Sequence, residues 1–276
     1  VIFAPEDLDI IRREPSFRRA FIDDLIVQVW PRFAGIFTDY DRVLRQRNTL
    51  LKTARQTRAA ADALSTLDAW DESLVKFGSQ IIAARIDLVN RLNPYLLAAY
   101  QAIAVANNNP QILVRSSLAG DIARLASADE ETEDLETFGV TDRDEIAAIF
   151  RARIAELRPR ELERGITLVG PHRDDLILML GPLPAKGYIS HGETWSYALA
   201  LRLASVELLK KESRTGDPVL ILDDVFAELD SGRRLRLAEL VANNEQVLIT
   251  AAVAEDVPVI LTATRFAVSE GQVTRA

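Results

Sequence analysis

Four acidic side chains crowd the end of one apolar run in "PVLILDDVFAELD", residues 218–230. Val219 to Leu222 place Asp223 at the carboxyl end of a strand, the edge of an open α/β sheet where ligands bind. A carboxylate there can hold Mg²⁺ through its waters beside a nucleotide. Asp224, next along the chain, can orient or deprotonate an attacking water. An apolar strand ending in Asp also suits an ordinary turn, so the pair draws its weight from Glu228-Leu229-Asp230 close behind it. Upstream, "SHGETWSYALALRLASVELL" begins with Ser190 and Gly192 where a loop turns into a helix. Backbone N–H groups and a hydroxyl then face outward at the positive end of the helix dipole, a ready anion site. Ser190 with Glu193 also fits a capping box, and one residue can both cap and bind an anion. A metal beside phosphate calls for a cradle of the form G-x-x-x-x-G-K-[ST], and this sequence has none.

Those side chains need a sheet to hold them. "VLILD" at 219–223, the helix "RRLRLAELVANN" and "VLIT" at 247–250 form a βαβ pattern, whose strands are expected to be parallel and buried on both faces. Before it, "ITLVG" and "LILML" flank the polar "PHRDD" like the arms of a hairpin. At that tip His172 and Arg173 suit a phosphate or DNA contact, or a turn held by the His, the Arg and the two aspartates among themselves. Residues 16–30 and 41–106 carry helical periodicity, as in Val43, Leu44, Leu50, Leu51 and Ala54. Within them Asn93 fits an N-cap and Pro94 the first helical position, which predicts a new helix there. "NNNP" at 107–110 ends it, and "QILVRSSL" suits a short strand. "EIAAIFRARIAELRPRELERG" reads as a helix stopped by Gly165, and "RFAVSEGQVTRA" as a hairpin turning at Glu270-Gly271.

The 276 residues, 48% hydrophobic and 27% charged, can form one large globular domain or two small ones. No run of about 18 apolar residues and no signal-peptide pattern is present, so a cytoplasmic protein without a membrane span is expected. With zero cysteines there is no disulfide scaffold and no thiolate zinc site. A net charge of −8 argues against a uniformly basic nucleic-acid binder, but the charge is polarised. Residues 12–58 hold eleven Arg and Lys against five acids, while residues 129–145 hold nine acids against one Arg and read as a solvated loop. Arg45, Lys52 and Arg55 fall at i, i+7 and i+10, one face of a helix that can line a DNA channel or simply meet solvent. Arg18 and Arg19 suit local pairing with Asp23 and Asp24 one turn on.

The order of a Ser-x-Gly-Glu helix start, a helix, an apolar strand, Asp-Asp and Glu-Leu-Asp resembles the signature motif, Walker B motif and D-loop of ABC-type ATPase heads of the SMC and RecF group. "TLVGPHRDDL" at 167–176, "ALALRLA" at 198–204, "LDDVFAELD" at 222–230 and, nearer the start, "FAPEDL", "EPSFRR" and "VLRQRNTLLK" resemble the RecF family in particular. The resemblance implies an α/β fold, an ABC-ATPase-like head of the P-loop NTPase type with an inserted helical lobe. Residues 1–40 and 158–276 would be head, and 41–157 the lobe. It implies Asp223 as the Mg²⁺ ligand and Asp224 in the position of a catalytic glutamate, one methylene shorter. Ser190 and Gly192 would contact the γ-phosphate of ATP held by the other subunit, and Asp230 would reach across the dimer. Ser-His-Gly-Glu departs from the commoner Ser-Gly-Gly-Gln through His191. Thr250 stands where many ABC proteins carry a switch His, and Pro5 and Glu6 stand near the Q-loop position without its Gln. In this family the phosphate loop lies upstream of "VIFAPEDL", and the only methionine is Met179, so a chain beginning after that loop is expected. The implied function is an ATP-dependent homodimer that clamps duplex DNA at gaps and helps load recombinase with the RecO and RecR mediators. That places it in DNA repair, recombination, replication and the SOS response, hydrolysing ATP once a phosphate loop is supplied. The alternative is a non-enzymatic scaffold whose helical lobe binds partner proteins.

Overall fold

A computed structural model of the chain describes residues 1–57, 61–104, 108–119, 137–213 and 216–275. In chain order come strand β1 (Ile2–Phe3), helices α1 (Asp9–Arg12), α2 (Pro15–Val29), α3 (Phe33–Thr57) and α4 (Ala61–Ile103), and strand β2 (Pro110–Arg115). Helix α5 (Arg143–Arg164), strands β3 (Asp175–Leu180) and β4 (Leu183–Pro184), the single turn α6 (Ala185–Tyr188) and helix α7 (His191–Glu212) follow. Strand β5 (Leu220–Asp223), helix α8 (Ser231–Val241), strand β6 (Val247–Thr250) and the hairpin β7 (Phe266–Ser269) and β8 (Gln272–Arg275) come last. No helix among the described residues is long and apolar enough to cross a membrane. Much of the acidic segment, residues 129–136, lies outside the described residues.

β1, β5 and β6 form one parallel sheet in that order, with Ile2 opposite Ile221 and Asp223 opposite Thr250. The βαβ unit stands as expected, but only one face of β6 is covered. Val247 and Ile249 are half-buried while Leu248 and Thr250 are exposed. The last hairpin also forms, with Glu270 and Gly271 at φ 51° and 78°, the left-handed pair that a two-residue turn requires.

The expected hairpin around "PHRDD" does not form. β3 pairs antiparallel with β2, from Pro110 opposite Leu180 to Arg115 opposite Asp175, and on its other side with β4. "ITLVG" is irregular, because side chains take the backbone groups a ladder would use. Thr167 N donates to Asn48 Oδ1 at 2.7 Å, Leu168 N to Glu161 Oε1 at 2.8 Å, and Gly170 N to Ser117 Oγ at 2.9 Å.

Nor does a helix start at Asn93. α4 runs through it, with Pro94 inside the helix, and the Asn90 carbonyl that loses its donor belongs to an exposed residue. The Asn93 amide instead reaches β2, accepting from Ile112 N at 2.8 Å and donating to Ile112 O at 3.0 Å. At about 1.5 Å per residue the 43 residues of α4 span roughly 65 Å. The helix packs on α7, α3 and α5 in one continuous buried core. α7 is buried on most sides from Thr194 to Leu208, which explains a run of apolar and small residues interrupted only by Arg202 and Glu207. Trp195 meets Phe3 of β1 edge-on at 5.7 Å, so the helix is seated directly on the parallel sheet.

Candidate functional site

At the carboxyl edge of β5 and β6, three of the expected residues meet, Asp223 and Thr250 by their side chains and Asp224 by its backbone. The Thr250 hydroxyl donates to Asp223 Oδ1 across the ladder, and it accepts from Asp224 N at 3.1 Å. The Thr250 carbonyl accepts from the same N–H at 3.3 Å. Asp224 has φ 52°, a left-handed conformation that costs a non-glycine residue about 1–2 kcal/mol and ends the strand abruptly. Both aspartates are exposed. Among the described residues no three His, Cys, Asp or Glu side chains gather as a preformed metal cage. One or two carboxylates instead suit a Mg²⁺ that keeps waters and takes other ligands from phosphate, and Asp223, with Thr250 on one oxygen, fits that demand.

The second group sits where α7 and α8 begin. Ser190 caps α7 in a full capping box. Its hydroxyl accepts from Glu193 N and donates to Glu193 Oε2, while Ser190 N donates to that same oxygen at 2.8 Å. These bonds, the backbone N–H first, hold the Glu193 carboxyl below its usual range. Asp230 caps α8, accepting from Arg233 N at 2.9 Å, and that bond lowers its carboxyl in turn. Arg233 bridges the two helix starts: Nη1 lies 3.4 Å from Gly192 O, and Nε lies 3.5 Å from Asp230 Oδ2. A Cβ on Gly192 would stand 2.9 Å from Arg233 Nη1, so a side chain there would displace the guanidinium. His191 turns back onto the protein, with Nδ1 2.6 Å from Arg12 Nη2 and Nε2 3.2 Å from Trp195 Nε1. Arginine and the indole only donate, and a neutral imidazole accepts at one nitrogen, so one of these contacts is a hydrogen bond at a time.

Arg45, Lys52 and Arg55 are exposed on α3, on a different element from both groups. Arg55 Nη1 donates to Arg164 O at 3.3 Å, at the end of α5 where Gly165 takes φ 72°. Arg47, between them in sequence, is fully buried and pairs with Asp71 at 2.7 Å and Glu161 at 2.6 Å, with Thr167 Oγ1 at 2.9 Å.

Sequence reasoning missed what "GPHRDD" does. Asp175 takes a forked pair from Arg18 at 2.8 and 2.9 Å, and Arg19 donates to Asp174 O. Asp23 pairs with Arg85 of α4 in the same forked way. The expected pairing of Arg18 and Arg19 with Asp23 and Asp24 gives way to these longer-range bonds, because the buried Asp175 carboxylate and the buried Arg85 guanidinium each need a forked partner. Asp174 accepts from Ser117 N and from the hydroxyls of Ser116 and Ser117, and burial pushes its carboxyl up. His172 Nδ1 is 2.7 Å from Tyr40 Oη, and burial, with Arg173 close by, holds its imidazole down to about 3. Arg173 stays exposed and donates to Thr167 O at 3.1 Å, while His172 and the two aspartates tie α2, α3, α4 and the β2–β3 sheet together. The signal available in the sequence was two adjacent aspartates entering an apolar strand, where a charge must be paired.

A parallel sheet with paired aspartates at its carboxyl edge, a capped helix start beside a second capped aspartate, and a long helical insertion define an ABC-ATPase-like head. No family model matches the chain. It is 55% identical over 276 residues to the DNA replication and repair protein RecF of Clavibacter michiganensis subsp. michiganensis, covering all of this chain and 68% of the relative. It is 52% identical over 273 residues to the protein of that name from Leifsonia xyli subsp. xyli, with 99% and 70% covered. A solved structure described as the recombination mediator protein RecF-ATPrS in the RecFOR pathway superposes with a TM-score of 0.80 at 26% identity, over all of this chain and 67% of that one. The chain belongs to the RecF family of DNA replication and repair proteins.

Proposed function

We propose that this chain is the part of an ATP-dependent DNA-repair protein that supplies the Walker B, signature and D-loop side of a nucleotide site shared by two copies. The observation that carries the reading is the Thr250 hydroxyl bound to Asp223 and to Asp224 N at the carboxyl edge of the parallel sheet. The relatives support it: their name is that of a replication and repair protein, and a structural neighbour is described with a nucleotide analogue. Asp223 would hold Mg²⁺, which when bound would neutralise phosphate charge. Asp224, turned off the strand end by its positive φ, orients the attacking water and takes its proton. Thr250 holds the Asp223 carboxylate and the backbone N–H of Asp224 in register but carries no proton charge, so it positions rather than titrates. Ser190 and Gly192 face the γ-phosphate of ATP on the partner copy, and Asp230 reaches across the same interface. Closure of the pair on ATP encloses duplex DNA at gaps, with Arg45, Lys52 and Arg55 on the enclosing face, and brings recombinase in through RecO and RecR. The regions 1–40, 41–157 and 158–276 act as head, lobe and head without being separate folding units, since α3 and α5 cross both boundaries.

In the complete gene product, Asp224→Asn is expected to slow ATP hydrolysis by about 10²-fold or more while ATP-dependent dimers still form. Hydrolysis at the unsubstituted rate removes Asp224 from the chemistry.

A further inference from the structure

Two neighbouring arginines on the first turn of α8 reach in different directions, because successive side chains on a helix point roughly 100° apart. Arg233 goes to the start of α7, lying against Gly192 O and filling the space above that glycine. Arg234 goes the other way. Its Nε donates to Leu229 O at 2.8 Å and its Nη2 to Ala227 O at 3.4 Å, both carbonyls of the segment between Asp224 and Asp230. Its Nη1 pairs with Asp256 Oδ1 at 2.8 Å, in the short turn Ala254–Asp256 that follows β6 and Thr250. Arg234 and Asp256 keep only 26% and 22% of their side-chain exposure, so this pair is far less screened than an ordinary surface pair. One planar guanidinium thus holds three points on two segments, which a single ammonium cannot do.

We propose that Arg233 and Arg234 form a two-armed coupler. It locks the start of α8, and with it Asp230, to the signature glycine on one side and to the Ala254–Asp256 turn that follows β6 on the other. The inference rests on the nucleotide-site reading above and adds two positioning residues to it. Their contacts run to backbone carbonyls, Asp230 and Asp256, so they act through those segments and not on the nucleotide itself. Without Arg234, nucleotide still binds, but the interface aspartate and the turn that follows β6 are no longer set together.

The test measures steady-state ATP hydrolysis and thermal melting of the complete gene product carrying Arg234→Ala, Asp256→Ala or both. Each single substitution is expected to lower kcat about 10-fold with KM within 2-fold. The double substitution is expected to be no worse than Arg234→Ala alone, since Asp256→Ala breaks only a link that Arg234→Ala already removes. Unchanged kcat in both single variants, or losses that multiply in the double variant, overturn the coupler while leaving the nucleotide site intact. Should Arg234→Ala not fold, Asp256→Ala alone decides by the same kcat and KM reading. An unsubstituted protein that neither binds nor hydrolyses ATP overturns the nucleotide-site reading, and the coupler with it.

Discussion

His172 shows how a single side chain can be misplaced by its neighbours in sequence. Set among charged residues, it suggested a ligand-facing tip, yet its ring is packed against Tyr40 and held neutral by burial down to about 3. The sign of the consequence is fixed. The unfolded chain takes up a proton near pH 6.5 and the folded chain does not, so the stability this neutral ring allows is complete above pH 6.5 and is lost as pH falls toward about 3. The slope contributed is at most ~1.4 kcal/mol per pH unit. Denaturant melts between pH 7 and 5 are expected to show a shallower pH dependence for His172→Gln than for the unsubstituted protein, and identical slopes contradict the buried neutral ring. Gly170 belongs to the same packing: at φ 127° an added Cβ would stand 2.6 Å from Tyr40 Oη and 2.8 Å from a Phe150 ring carbon. In contrast, the placement of Asp223 at a strand end and of Ser190 at a helix start was legible in the sequence, because those boundaries are local.

At the scale of elements, regular pieces were read correctly wherever a period and a stop signal agreed. The α5 helix closes at Gly165 in the left-handed conformation, and the βαβ unit has the expected parallel register. The failures share a cause, namely side chains that satisfy backbone groups of distant segments. Asn93 looked like a cap because Asn-Pro is a cap signal, but its amide completes the edge of β2 from inside α4. Asn93→Ala is therefore expected to cost about 1–3 kcal/mol, since it leaves both polar groups of the buried Ile112 unpaired. A loss under about 0.5 kcal/mol, typical of an exposed helix position, would contradict that bond. "ITLVG" failed as a strand for the same reason, its N–H groups being taken by Asn48, Glu161 and Ser117. No pattern of apolar periodicity carries such long-range partners.

For the whole molecule, the polarised charge of the sequence needs a correction. Of the cations in residues 12–58, Arg18 and Arg47 are buried in ion pairs and Arg19 is committed to a backbone carbonyl, so the outward-facing positive charge is smaller than the count suggests. What stays exposed includes Arg45, Lys52 and Arg55. If about six such cations meet phosphates in the assembled pair, DNA affinity is expected to fall roughly 10³-fold between 50 and 200 mM salt. A flat salt response contradicts a basic enclosing face. The central claim concerns the assembly itself, that ATP joins two copies through Ser190, Gly192 and Asp230. The most direct measurement is the sedimentation mass of the complete gene product, with and without ATP, beside its Ser190→Arg variant. A dimer that forms with ATP and vanishes in Ser190→Arg, with ATP still bound by the monomer, is the result this account expects. Dimers of Ser190→Arg persisting at the same ATP concentration contradict it.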